Sequence, residues 1–87
     1  MHQRYKLIFA KDVEKFLGKH PEIIRRFFDK VDILAIDPLD ARLDVKQLKW
    51  LMNHRRLRIG KYRFLYEIQE STILIYFYDA DSRGDIY

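Results

Sequence analysis

The chain has 87 residues, of which 48% are hydrophobic, 15% aromatic and 34% charged. That composition describes a folded globule with room for one small core, not a disordered tail, so residues 1–87 are expected to form one domain. The lack of cysteine excludes disulfides, thiolate metal sites and cysteine nucleophiles, and the net charge of +4 points toward anionic partners only if it is unevenly spread.

In chain order, Tyr5 to Phe9 is short and β-rich and predicts a first strand. From Asp12 the pattern turns helical, with Val13, Phe16 and Leu17 on one face, Asp12 as the cap and Gly18 at the end. A second helix opens at Pro21, where a missing N–H costs nothing, and Glu22 suits the positive end of its dipole. Ile24, Phe27, Phe28, Val31, Leu34 and Ala35 trace its apolar stripe, and Pro38 ends it. The turn between the helices is short, which predicts an antiparallel hairpin. Residues 38 to 53 read as a loop with a half-turn of helix, with Leu39, Leu43, Leu48 and Trp50 tucked onto the core.

The period then becomes two. Leu57 and Ile59 point one way and Arg56 and Arg58 the other, Gly60-Lys61 makes a tight turn, and Tyr62, Phe64, Tyr66 and Ile68 oppose Arg63, Leu65, Glu67 and Gln69. "QES" makes the next turn, and "TILIYFYDA" is apolar on both faces, hence an interior strand. The fold class that follows is α+β: an antiparallel-rich sheet in the order β-α-α-β-β-β, with the helical hairpin on one face. The other face stays open, and alternation puts Arg56, Arg58 and Arg63 on it.

The basic residues are concentrated. Lys46, Lys49, Arg55, Arg56, Arg58, Lys61 and Arg63 fall in one stretch without an Asp or Glu between them, and His54 adds a further donor when protonated. Such a one-sign block suits a phosphate-binding surface, and its competing reading is a solvated strand face. The amino end "MHQRYKLIFAKD" is no secretory signal, and "ILIYFY" is far short of the ~20 residues that span a bilayer, so a soluble, cytoplasmic protein is expected. Three scattered histidines predict no metal site, and no nucleotide loop or nucleophile triad is present.

The order of elements, "LKW" at Leu48 to Trp50, "RLRIGKYRFLYEI" at Arg56 to Ile68, and the closing "DADSRGDIY" together resemble the RelE/ParE toxin superfamily. In that family a basic strand is followed by a "G-x-YR-x-x-Y" segment and a last strand ending near "R-x-x-x-Y". The resemblance implies the toxin of a type II toxin–antitoxin system. In the RelE branch that toxin is an endoribonuclease cleaving messenger RNA on the ribosome.

Carried over residue by residue, the functional positions fall on Arg56, Arg58, Arg63, Arg83 and Tyr87, with Lys46, Lys49, His54, Arg55 and Lys61 as substrate-binding cations around them. The implied partners are a cognate antitoxin, acidic where it makes contact, together with messenger RNA and the ribosome; no cofactor, metal or membrane is implied. Arg56 and Arg58 stand where the best-known branch carries lysines. Arginine stays protonated at any useful pH, so neither residue suits the role of base.

Cleavage by an attacking 2′-hydroxyl needs that hydroxyl deprotonated, the phosphorane's charge stabilised and the 5′-oxygen protonated. Guanidinium forks perform the second task. On this reading Arg63 and Arg83 bind the scissile phosphate, Arg56 and Arg58 position it, and Tyr87 serves as acid or stacking platform. Two alternatives share the fold: a ParE-like toxin that inhibits gyrase, which needs no such arginine set, and a non-catalytic RNA- or protein-binding module.

Overall fold

The structure, a computed structural model, describes residues 4–49 and 51–82. Strand β1 (Lys6–Phe9) leads into helices α1 (Lys11–Lys19) and α2 (Pro21–Ile36), followed by β2 (Asp44–Gln47), β3 (His54–Ile59), β4 (Tyr62–Gln69) and β5 (Leu74–Asp81). The strands form one sheet in the order β1-β5-β4-β3-β2. β1 runs parallel to β5, and every other pairing is antiparallel. The class is α+β, as expected, but with one strand more than the predicted β-α-α-β-β-β order. The addition is β2, inside the stretch expected to be a loop.

Local chemistry explains most of the boundaries. Pro21 opens α2, and the backbone N–H of Asp37 closes it onto the Ile33 carbonyl, with Pro38 next in the chain. The predicted capping of α1 is corrected. Ala10 holds the cap position without a side-chain bond, Asp12 sits inside the first turn, and Gly18 lies within the helix, which ends at His20. An acidic side chain in the first turn still favours the helix through its dipole.

The core lies between the hairpin and one face of the sheet. Val13 and Leu17 of α1 and Ile23, Phe27, Val31 and Leu34 of α2 pack against Leu57, Ile59, Tyr62, Phe64, Tyr66, Ile68, Ile75 and Phe77. The alternating residues of β3 and β4 therefore bury as predicted. The stripe of α2 is rotated from its expected position: Ile23 is fully buried, whereas Ile24 is half-buried and Phe28 is 41% exposed. Spacings of four, four and three from Ile23 through Phe27 and Val31 to Leu34 keep one line facing the sheet.

Phe27 is the aromatic hub, with ring centroids 4.4 Å from Phe64, 5.4 Å from Phe77 and 5.8 Å from Phe9. Of the side chains expected to tuck the 38–53 segment down, Leu43 packs on the core and Leu48 is half-buried, but Leu39 is exposed. Trp50 lies outside the described residues. Among those residues no helix is long and apolar enough to cross a membrane.

Candidate functional site

Alternation puts the even-numbered residues of β3 on the sheet face away from the helices. Across the β3–β4 ladder, His54 faces Glu67, Arg56 faces Leu65, and Arg58 faces Arg63. Arg63 in turn faces Asp81 of β5. A cavity of about 640 Å³ opens on this face. Lys46 and Lys49 form one side and Arg56 and Arg63 the floor, while Leu48, Leu51 and Leu65 supply apolar wall and Asp79 and Asp81 the far rim.

The three arginines are held to different degrees. Arg63 is only 13% exposed and its Nη2 stands 3.7 Å from Asp81 Oδ2. Arg56 is 22% exposed and donates from Nη2 to Asp44 Oδ1 at 3.1 Å. Its Nε is buried with no hydrogen-bond partner among the described residues. Arg58, half in solvent, donates from Nε to the second oxygen of the same carboxylate at 3.0 Å. Asp44 thus ties two guanidiniums of β3 to the edge strand β2. Burying the stems of Arg56 and Arg63 in a sheet fixes their heads far better than a loop would, and a guanidinium presents a fork matched to two phosphate oxygens.

The residues expected at a substrate site divide accordingly. Lys46, Lys49, Arg56 and Arg63 come together around the cavity. Arg58 flanks it through Asp44. His54 lies on the same face, with Nδ1 2.9 Å from the Tyr78 hydroxyl and Nε2 4.0 Å from Glu67 Oε2. Arg55 points to the helix-covered side. It lines a smaller cavity of about 220 Å³ with Tyr5 and Asp37. There it partly offsets the burial that pushes the Tyr66 hydroxyl up to about 12. Lys61, in the β3–β4 turn, sets its ammonium 5.5 Å from the Tyr62 ring centroid, outside the main cavity. Arg83 and Tyr87 lie outside the described residues.

Sequence reasoning missed the acidic partners and Tyr78. The block from Lys46 to Arg63 contains no acid, yet the strand register brings Asp44 opposite Arg58 and Asp81 opposite Arg63. Reading β2 as a strand would have supplied the first of these pairings. The hydroxyl of Tyr78 is held above its ordinary range by burial first, then by the neighbouring charges of Asp79 and Glu67. Among the described residues no group of three His, Asp or Glu side chains is placed to hold a metal ion.

Fold and cavity together define a class: a small α+β protein with a helical hairpin on one face of its sheet and, on the other, a cavity lined by Lys46, Lys49, Arg56 and Arg63 beside Asp79 and Asp81. Comparison with known proteins narrows it. The family described as the ParE toxin of type II toxin–antitoxin systems, parDE, matches residues 5–84. The chain belongs to this RelE/ParE superfamily of type II toxins.

Solved structures agree. The chain is similar to a protein of the archaeal RelE–RelB complex of Pyrococcus horikoshii OT3, with TM-score 0.82 and 29% identity over 94% of this chain and 98% of that one. It is also similar to one of the RelB–RelE antitoxin–toxin complex of Methanococcus jannaschii, at TM-score 0.69 and 28% identity over 92% and 94%. A chain of the RelBE2 complex of Mycobacterium tuberculosis shares the fold at TM-score 0.70 and 24% identity over 98% and 100%. No curated protein matches the chain.

Proposed function

We propose that this protein is an RNA-cleaving toxin and that the cavity between β2 and β4 holds the phosphate it attacks. The observation that carries the reading is the convergence of Arg56 and Arg63, both largely buried along their stems, with Lys46 and Lys49 on one cavity. The two guanidiniums grip the scissile phosphate and take up the extra charge of the phosphorane formed by an attacking 2′-hydroxyl. Arg58 and the lysines hold flanking phosphates, which position the strand without reading its sequence. By the family resemblance Arg83 and Tyr87 belong to the same site, Tyr87 as acid or stacking platform. The substrate is messenger RNA on the ribosome. The protein works in the cytoplasm as one domain spanning residues 1–87, restrained by a cognate antitoxin. Solved relatives described as RelE–RelB complexes support that partner.

The second reading, a gyrase-directed toxin, is favoured by the name of the matching family. A short pulse of expression followed by primer extension on a reporter message separates the two. The expected result is new message ends with the native protein and their loss, by about 100-fold or more, with Arg63→Ala. Unchanged cleavage by Arg63→Ala would sink the assignment of the cavity. DNA damage signalling without any message cleavage would replace the RNA reading with the gyrase one.

A further inference from the structure

We infer that His54 is the general base of this site, oriented by Tyr78 and Glu67; the inference rests on the RNA-cleaving reading above. Arginine stays protonated near neutral pH and cannot accept the proton of a 2′-hydroxyl, so the cavity's own guanidiniums leave that role vacant. Imidazole is the side chain whose ordinary titration range fits it. Among the described residues the other histidine, His20, packs against Phe16 and Tyr62 at the helical hairpin, on the covered side of the sheet.

The placement of His54 follows from register. It opens β3 two residues before Arg56, so the two side chains leave the same face about 7 Å apart along the strand. Glu67 faces it across the ladder. Each member of the His54–Glu67–Tyr78 group adjoins a residue that lines the cavity: Arg56, Leu65 and Asp79 respectively. The His54 side chain is 23% exposed, held yet reachable. Its ring meets the Tyr78 ring edge-on, with centroids 5.4 Å apart.

With Nδ1–H donating to the Tyr78 oxygen, Nε2 keeps its lone pair. In the forward step Nε2 takes the 2′-hydroxyl proton as O2′ bonds to phosphorus. The P–O5′ bond breaks, and the leaving 5′-oxygen takes a proton from water. The products are a 2′,3′-cyclic phosphate and a 5′-hydroxyl, and the imidazolium returns its proton to solvent. That imidazolium keeps the Tyr78 oxygen, 2.9 Å from Nδ1, as acceptor of one N–H, and the Glu67 carboxylate, 4.0 Å from Nε2, faces it as an opposite charge beyond hydrogen-bond reach. Glu67 and Tyr78 are therefore positioning residues. The charged and titratable groups facing the ring are Glu67 from β4, Tyr76 and Tyr78 from β5, and Arg56 on its own strand.

The test is single-turnover cleavage from pH 5 to 9 by the purified protein, on message-programmed ribosomes and on a short RNA in parallel. The native rate should rise with pH through the imidazole range and then level. His54→Ala should lose about 100-fold or more of the rate together with that rise, keep its RNA affinity, and regain cleavage when imidazole is added. Glu67→Gln and Tyr78→Phe, which keep the imidazole but loosen its orientation, should lower the rate by about tenfold or more while leaving RNA affinity unchanged. His54→Gln, closer in shape, covers the case in which the alanine variant does not fold.

A folded His54 variant that keeps the native rate and pH profile, in an assay where Arg63→Ala is dead, overturns the role of His54 and leaves the RNA reading standing. No cleavage by the native protein on either substrate removes that reading and the base with it.

Discussion

Asp44 is the counterweight to the arginine row, and removing its charge should tighten RNA binding while barely loosening the fold. Its two oxygens occupy Arg56 Nη2 at 3.1 Å and Arg58 Nε at 3.0 Å. A phosphate approaching either guanidinium must compete with that carboxylate. A unit charge about 6–7 Å from a bound phosphate costs about 0.6 kcal/mol in water and several times more at protein-surface permittivity. Asp44→Asn should therefore strengthen binding of single-stranded RNA by about three- to tenfold. It should also steepen the dependence of log K on log salt by about 0.7 for each phosphate newly engaged.

The stability cost is small, because Asp44 and Arg58 are each about half exposed, and such pairs contribute about 0–1 kcal/mol. A melting-temperature drop of about 4–8 °C corresponds to the upper end of that range for a chain of this size. The assay is fluorescence anisotropy with a 2′-O-methyl RNA that cannot be cleaved, titrated at several salt concentrations. Equal affinity and equal salt slope for Asp44→Asn and the native protein would refute the idea that this carboxylate competes with phosphate.

Three further outcomes test the scaffold. Phe27→Ala removes the ring shared by Phe9, Phe64 and Phe77, and should cost about 3–5 kcal/mol in urea unfolding, comparable to the whole stability of a small domain; a cost below about 1 kcal/mol would contradict the hub. Gly60 has φ +62, with its nearest obstacle the Arg26 guanidinium at 3.6 Å, so Gly60→Ala should cost about 1–2 kcal/mol from backbone strain alone, and Gly60→Asn less. The Arg42 side chain and backbone N–H hold the Asp40 carboxyl at about 2, below its ordinary 3.8. Its contribution to stability is complete above about 3.8 and fades as pH falls toward about 2, so Asp40→Asn should be less stable than the native protein at neutral pH and converge with it in acid, flattening that part of an acid-unfolding curve.

The parts of the fold that sequence made legible are those encoded by local period. The hairpin follows from spacings of three and four closed by Pro21 and Pro38, and the buried face of β3 and β4 follows from strict alternation. The helical stripe was read one position late because Ile23 and Ile24 both fit a helical line, and Phe28 looks like core until Ile23 takes the inward place. Its exposed ring still leans edge-on against Phe9, at 5.9 Å between centroids. The acidic partners of the arginines were illegible for a different reason. Asp44 and Asp81 stand 14 and 18 residues from Arg58 and Arg63, and only strand register joins them.

Strand β2 shows why the unread portion matters to the site. Its four residues, Asp-Val-Lys-Gln, carry one half-buried side chain among three exposed ones, too short and too polar for an alternation signal. An edge strand is held to that composition, since a long apolar edge would invite pairing with other chains. Yet β2 and the residues just after it, Lys46 through Lys49, form one side of the cavity, and Asp44 anchors its Arg56 together with the flanking Arg58. Alternation along β3 places a row of guanidiniums on an open sheet face, and a row on an open face is only a charged surface. The neighbouring edge strand gives that row a concave wall and a fixed spacing. The feature that turns positive charge into a pocket is thus the one that negative selection against edge pairing keeps faintest in the sequence.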